Sequence, residues 1–235
     1  MSHMSLAILY DIHGNRPALE AVLADARGRG ADRWLLGGDY AAFGAWPAET
    51  VALLRDELGG HATWIRGNWE RWQAEPDAVP DAEVVQTAAV AVRAALGASL
   101  VAELGTMPAS AVVDGTLFVH GAPGSDIESF LPDADPEEDD QLLSGVQERR
   151  VVFGHTHLQF TRRSAGGVEL VNPGSVGLPW DGDRRAAYAV QDDEGRVELH
   201  RVAYDWEAAA GALEAVGELW ADVTARRLRA ARFDV

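Results

Sequence analysis

Apolar residues in this chain come in short runs, each closed by polar residues and glycines. Leu6-Ala7-Ile8-Leu9-Tyr10 has the length of a buried strand and runs straight into Asp11. Pro17 then stands where a first helical turn tolerates proline, Asn15 can cap, and residues 18–27 have helical composition. Trp34-Leu35-Leu36 predicts a second strand ending in Gly37-Gly38-Asp39. Pro47 and Glu49 open a helix through Leu58, and residues 62–66 give a third strand ending in Gly67-Asn68. Alternation of this kind favours a parallel sheet with crossover helices.

The middle of the chain changes character. Residues 82–104 are Ala-rich and predict a helix broken at Gly97, and two strands around Asp114-Gly115 predict a hairpin. Residues 132–140 are acidic and loop-like, followed by a helix that leads to Val151-Val152-Phe153. The last third is mostly β, with strands at 159–163, 168–171, 186–191 and 196–202, and turns at Gly166-Gly167 and Asp193-Glu194-Gly195. Two helices, 206–216 and 219–231, close the chain. No repeat or low-complexity linker divides it. Residues 5–235 are therefore expected to form one α/β domain, a pair of mixed sheets covered by helices on both outer faces. Met1-Ser2-His3-Met4 reads as an expression scar ahead of a second start methionine.

Composition narrows the chemistry. Of 235 residues, 47% are hydrophobic, enough for a substantial core. No stretch approaches eighteen uninterrupted apolar residues, so no membrane span is expected. The first apolar run lacks a basic start and a small-residue cleavage site, which predicts no signal peptide and a cytoplasmic protein. Cysteine is absent, excluding disulfides, thiolate metal sites and a thiol nucleophile. Any metal must be held by imidazole, carboxylate and amide groups, a donor set suited to Mn, Fe, Zn, Co or Ni. The net charge of −17 repels nucleic-acid backbones and argues against general nucleic-acid binding. Bound dications would reverse that sign locally.

Metal-type residues recur just after the apolar runs. Asp11 and His13 follow the first strand, Asp39 the second, Asn68 the third, His120 follows Leu117-Phe118-Val119, and His155 and His157 follow Val151-Val152-Phe153. The carboxyl ends of strands in an α/β sheet meet at one crevice, where ligands bind. Asp-x-His and His-x-His put two donors on the same side of an extended segment. Two dications sharing one bridging carboxylate need roughly three further ligands each. One bridge plus three on each side uses all seven donors.

Asp-x-His, Gly-Asp, Gly-Asn-x-Glu, His-Gly and Gly-His-Thr-His, in this order from residue 11 to 157, resemble the calcineurin-like metallophosphoesterase superfamily. The likeness is to its small bacterial and archaeal phosphodiesterase-like branch, and Asn172-Pro173-Gly174-Ser175 extends it downstream. The resemblance implies a four-layer αββα sandwich. It implies that Asp11, His13, Asp39 and His157 hold one metal and Asp39, Asn68, His120 and His155 the other, with Asp39 bridging and Asp39, Asn68 and His120 acting in catalysis through the ions. Mn or Fe is the favoured pair, with Zn, Ni or Co as alternatives. The activity implied is hydrolysis of phosphodiesters or nucleotide phosphoanhydrides by in-line attack of a metal-bound hydroxide, on a small nucleotide or aryl phosphate. A phosphoprotein phosphatase and a catalytically silent metal-binding scaffold are the alternative readings.

One position departs from the family pattern. Many members carry His after the Gly-Asn, where it protonates the leaving oxygen; here Trp69 follows Asn68. Indole is no general acid. The expectation is a preference for good leaving groups, with Trp69 either stacking on substrate or packing over the site. Arg16 and Trp180 are further candidate substrate contacts and Asn15 a helix cap, while Glu70 reads as a solvated carboxylate ahead of the alternative that it orients a group behind the metal ligands. His61 and His200 fall outside every motif and read as ordinary surface or strand histidines. The acidic run 133–140 reads as a solvated loop, and the last two helices as packing elements that also offer a dimer contact.

Overall fold

The computed structural model of the chain describes residues 5–235, so the scar assigned to residues 1–4 lies outside the described residues. Ten strands form two five-stranded mixed sheets. The first takes β1 (Ser5–Leu9), β2 (Ala31–Leu36), β3 (Ala62–Trp64), β9 (Ala186–Gln191) and β10 (Val197–Val202), in the order β10-β9-β1-β2-β3. The second takes β4 (Ser110–Val113), β5 (Thr116–Val119), β6 (Arg150–Val152), β7 (Phe160–Arg163) and β8 (Glu169–Asn172), in the order β4-β5-β6-β8-β7. β1, β2 and β3 are parallel to one another, as are β5, β6 and β8.

Alternation along the strands builds three apolar layers. Ile8, Leu35, Ala189, Phe118, Val152 and Val171 point between the sheets. Their neighbours Ala7, Leu9, Trp34, Leu36 and Tyr188 face helices on the outside of the first sheet. Val119, Val151, Phe153 and Leu170 face outward from the second sheet. The four-layer α/β sandwich expected from the motifs is the observed architecture.

The helical cover is unequal. α1 (Arg16–Gly28), α2 (Pro47–Leu58), α3 (Asn68–Ala74), α4 (Glu83–Gly105), α6 (Trp206–Glu214) and α7 (Leu219–Ala230) all contribute to the core over the first sheet. The second is covered by the short α5 (Pro136–Leu142) and by loop residues such as Ala122, Phe130 and Val146. α4 is apolar and long enough to cross a membrane by composition, with a mean hydropathy of 1.6 over its best window. It is broken at Gly97, whose φ of 75° and ψ of 158° are not helical, and its Ala88, Val92 and Leu104 pack into the core.

Three expectations need correction. The acidic 132–140 stretch is only partly a loop: Asp135 caps α5 by accepting from the Glu137 amide, and the Asp139 carboxylate is buried against Arg162 at 2.5 and 2.7 Å. The helix expected ahead of Val151 lies earlier, as α5, and residues 143–149 are a short turn followed by irregular chain. α3, not foreseen, starts at Asn68 directly after the third strand. Its seven residues are too few to show a helical period.

Ile8 is fully buried between the sheets. Ile8→Ala is expected to lower unfolding stability by about 2–5 kcal/mol, against less than about 0.5 for the exposed Thr63→Ala, both read from denaturant midpoints.

Candidate metal centre

The six parallel strands end at one edge of the sandwich, and all seven predicted donors lie on the loops that leave them. Asp11 and His13 follow β1, Asp39 follows β2, Asn68 opens α3 just beyond β3, His120 follows β5, and His155 and His157 follow β6. Five of these turn sharply through positive φ: Asp11 at 53°, His13 at 50°, Asp39 at 57°, His155 at 66° and His157 at 58°. Such backbone costs of order 1–3 kcal/mol per residue and persists only where surroundings hold it. Two glycines leave room for the carboxylates. A Cβ on Gly67 would collide with Asp39 Oδ1, and one on Gly154 with Asp11 Oδ2.

The hydrogen bonds fix which atoms face the centre. Nδ1–H donates to a backbone carbonyl in three of the imidazoles: His13 to Ala42 at 2.9 Å, His120 to Gly37 at 2.9 Å and His157 to Leu178 at 2.5 Å. Each Nε2 is therefore the atom turned inward, available to ligate once it carries no proton. Those of His13 and His157 stand 3.1 Å apart, and that of His120 stands 3.0 Å from Asn68 Oδ1 and 3.3 Å from Asp39 Oδ2. Asp11 Oδ1 has the Nε2 atoms of His157, His120 and His13 at 3.5, 3.8 and 3.9 Å, yet it is buried without a hydrogen bond. His155 Nδ1 reaches Asn68 Oδ1 at 3.0 Å. Nitrogen and oxygen ligand atoms this close are held together by a shared proton or by a cation among them.

Two overlapping sets have the spacing of metal ligands: Asp11 with His13 and His157, and Asp11 with Asp39 and His120. The donors present, all oxygen and imidazole nitrogen, fit divalent first-row ions. Asp11 Oδ1 is as central as Asp39 Oδ2, which lies 3.8 Å from His13 Nε2 and 3.3 Å from His120 Nε2.

Titration follows the crowding. Burial would lower His120, but Asp39 and then Asp11 overcome it and raise it to about 10. Burial, with His157, lowers His13 to about 4, and burial, with His120, lowers His155 to about 4. Burial would raise Asp11, yet the charges of His157, His120 and His13 hold it below the usual carboxylate range.

The loop carrying Asn172-Pro173-Gly174-Ser175 braces the backbone of both motifs. Ser175 Oγ donates to the Asp11 carbonyl at 2.7 Å, and Asn172 Nδ2 donates to the Gly154 carbonyl at 3.1 Å and to Thr156 Oγ1 at 2.9 Å.

Glu70 corrects the expectation of a solvated carboxylate. It is 3% exposed and accepts from the amides of Asp39 and Gly67, each at 2.8 Å, and of Tyr40 at 2.9 Å. It thereby locks the turns carrying Asp39 and Asn68 together. Burial, with Asp39, pushes it up to about 7, against the three amides. The signal was available: glutamate three residues after Gly67 has the spacing of a helix-capping acid.

The three candidate substrate contacts have different surroundings. Trp69 is 4% exposed and packs edge to face with Phe43 at 4.7 Å and Trp72 at 5.3 Å, the arrangement of the packing alternative. Arg16 lies exposed on α1 and donates to Glu20 at 2.8 Å, turned along the helix instead of toward a ligand. Trp180 is half-buried, with its ring against the imidazole of His157. Asn15 caps α1 through its side-chain oxygen. His61 is exposed, and His200 lies on β10 beside Tyr188.

Residues 4–195 match the model of the calcineurin-like phosphoesterase superfamily domain. The chain belongs to that superfamily. With membership come phosphoester hydrolysis and dependence on metal. The calcineurin-like chain is 28% identical to the uncharacterised protein MJ0912 of Methanocaldococcus jannaschii, covering 87% of this chain and 89% of that one. It is also similar to the crystal structure of a metallophosphoesterase from Sphaerobacter thermophilus, at 26% identity and a TM-score of 0.79, with 97% and 99% of the two chains covered. The hypothetical protein PH1004 of Pyrococcus horikoshii shares the fold, at 19% identity and a TM-score of 0.79, over 91% and 94% of the chains.

Two outcomes follow from this geometry. Glu70→Gln sets an amide N–H₂ against backbone N–H groups and is expected to destabilise the fold by about 1.5–3 kcal/mol in denaturant titration. At pH 8 the metal-free protein holds its extra proton on His120, whereas His13 and His155 are already neutral. A ligand must shed its proton, so metal uptake should release roughly one proton per chain, measurable from calorimetric enthalpies in buffers of differing ionisation heat.

Proposed function

We propose that this calcineurin-like chain is a dinuclear phosphoesterase that hydrolyses phosphodiesters or nucleotide phosphoanhydrides. The observation that carries the reading is the meeting of buried ligand atoms: the 3.1 Å separation of the His13 and His157 Nε2 atoms, and the contacts of His120 Nε2 with Asn68 Oδ1 and Asp39 Oδ2. Asp11, His13 and His157 would hold one ion; Asn68, His120 and His155 the other; Asp39 lies between them. Two divalent ions, with Mn or Fe favoured over Zn, Ni or Co, would activate water near neutral pH and neutralise charge on the phosphoryl oxygens.

The chain's own part is to orient and to exclude. The carbonyls of Ala42, Gly37 and Leu178 hold three imidazoles in the tautomer that leaves Nε2 free to ligate. Glu70 and Ser175 keep the turns beneath Asp39 and Asp11 from relaxing. Trp69 brings no proton to a leaving group, and its burial supports a packing role. Losing a general acid removes about 10²–10⁴ in rate where the leaving group is poor. The substrates favoured are therefore those that leave unprotonated: a nucleotide phosphate or a phenolate.

The test is hydrolysis by metal-stripped protein reloaded with Mn, Fe, Co, Ni, Zn or Mg, across aryl diester, aryl monoester, alkyl monoester, dinucleoside polyphosphate, cyclic nucleotide and phosphopeptide. Turnover should require metal, rank aryl and anhydride substrates above the alkyl ester, and vanish in His155→Ala. Equal turnover of alkyl and aryl esters would refute the leaving-group argument. A clear lead for the phosphopeptide would favour a protein phosphatase.

A further inference from the structure

We propose that Trp180 is a positioning residue for His157, and that Phe233, beyond α7, holds Trp180 in that position. The inference rests on the dinuclear reading, in which His157 is a metal ligand. The indole lies face to face on the His157 imidazole, ring centroids 3.7 Å apart and planes within 16°. Aromatic side chains at protein sites more often meet offset or edge to face, so a near-parallel stack this close fixes a ring plane. Buried indoles usually find a hydrogen-bond partner, yet Trp180 Nε1 is buried without one. Stacking, not a bond of its own, therefore sets where this ring lies.

His157 needs that second constraint. Its Nδ1–H bond to the Leu178 carbonyl fixes one point of the ring and leaves it free to rock about that point, swinging Nε2 away from Asp11 and His13. The stack on Trp180 removes the rocking. Both constraints come from one stretch, Leu178 to Trp180, and the Trp180 amide donates to the His157 carbonyl at 3.3 Å, tying the two backbones together. The other two imidazoles with inward Nε2 atoms are held differently. His120 has no exposed side-chain surface, and the aromatic beside His13, Phe43, stands 6.2 Å away and tilted by 45°.

Phe233 closes the arrangement. Its ring packs on Trp180 at 4.7 Å although it is 53% exposed. The Arg227 guanidinium lies 4.0 Å over the Phe233 ring, and Arg227 Nε donates to the Phe233 carbonyl at 2.8 Å. The Gly182 amide donates to the Ala231 carbonyl at 3.0 Å, joining the loop of Trp180 to the end of α7. α7 is thereby linked to a metal ligand through two aromatic contacts.

The experiment is a Mn(II) titration of the full metal-stripped chain, with free Mn(II) followed by electron paramagnetic resonance and the thermal midpoint of metal-free protein as control. Wild type should bind two ions. Trp180→Ala should weaken one of them by about 10–100-fold and leave the other nearly unchanged. Trp180→Phe, which keeps a ring to stack, should recover most of that loss, and Phe233→Ala should weaken the same ion by up to about tenfold. Unchanged affinity for both ions in Trp180→Ala overturns the proposal. So does an equal loss at both ions with a lowered midpoint, which is general damage. Wild type that binds no Mn(II) overturns the dinuclear reading itself, a result distinct from either.

Discussion

Asp11 stands at the tip of the central strand of the first sheet, without solvent exposure, and its Oδ1 has three imidazole nitrogens within 4 Å and no hydrogen bond. An isolated carboxylate in that position would cost several kcal/mol in lost hydration. The surrounding chain is built to keep it there. Its Oδ2 accepts from the His155 amide at 3.0 Å, and its carbonyl accepts from Ser175 Oγ and the Gly177 amide. One residue thus joins the end of β1 to the loops after β6 and β8, and the two sheets meet at a charge as well as at an apolar layer.

The same demand explains the strained turns. A side chain leaving a strand end in ordinary extended backbone points up or down with the pleat, whereas a centre of this kind needs donors from both sheets aimed at one small volume. Positive φ at Asp11, His13, Asp39, His155 and His157 bends the chain back toward that volume. Glu70 and Asn172 act as the counterweight. Glu70 collects three amides from two loops, and Asn172 uses both its amide donor and its carbonyl on the neighbouring turns. A buried, satisfied polar network is stiff, and stiffness is what a ligand set needs in order to hold a geometry before its ion arrives.

The unequal helical layers also bear on the site. Six helices back the first sheet, which supplies the carboxylates and Asn68, while loops and one short helix back the second, which supplies three of the four histidines. Aromatic residues stand beside two of the imidazoles: Phe43, with Trp69 edge-on to it, beside His13, and Trp180, with Phe233 against it, on His157. Trp69 fills with apolar bulk the position where the family commonly keeps a general acid. That exchange is the physical basis for expecting substrates whose leaving group needs no proton.

Much of this was legible in the chain itself. The β runs are short and strongly apolar, so both sheets, the Asp114-Gly115 hairpin and the break at Gly97 follow from local pattern. Pro17 and Asn15 mark the start of α1 for the same reason. The seven donors were visible because each directly follows a strand, and strand ends on one edge converge whatever the details of packing. What local pattern lacks is knowledge of the neighbour. Glu70 looks like any surface acid until Asp39 and Tyr40 arrive from another loop, and Asp139 like part of a solvated run until Arg162 reaches it from β7. Trp69 and Trp180 both read as candidate substrate contacts from the chain alone; only the fold sets the first among Phe43 and Trp72 and the second on the His157 ring. The sequence determined which groups can ligate, because donor chemistry and position after a strand are local properties. The tertiary structure decided which atom of each group faces the centre, because tautomer, ring plane and burial depend on partners 21 to 164 residues away.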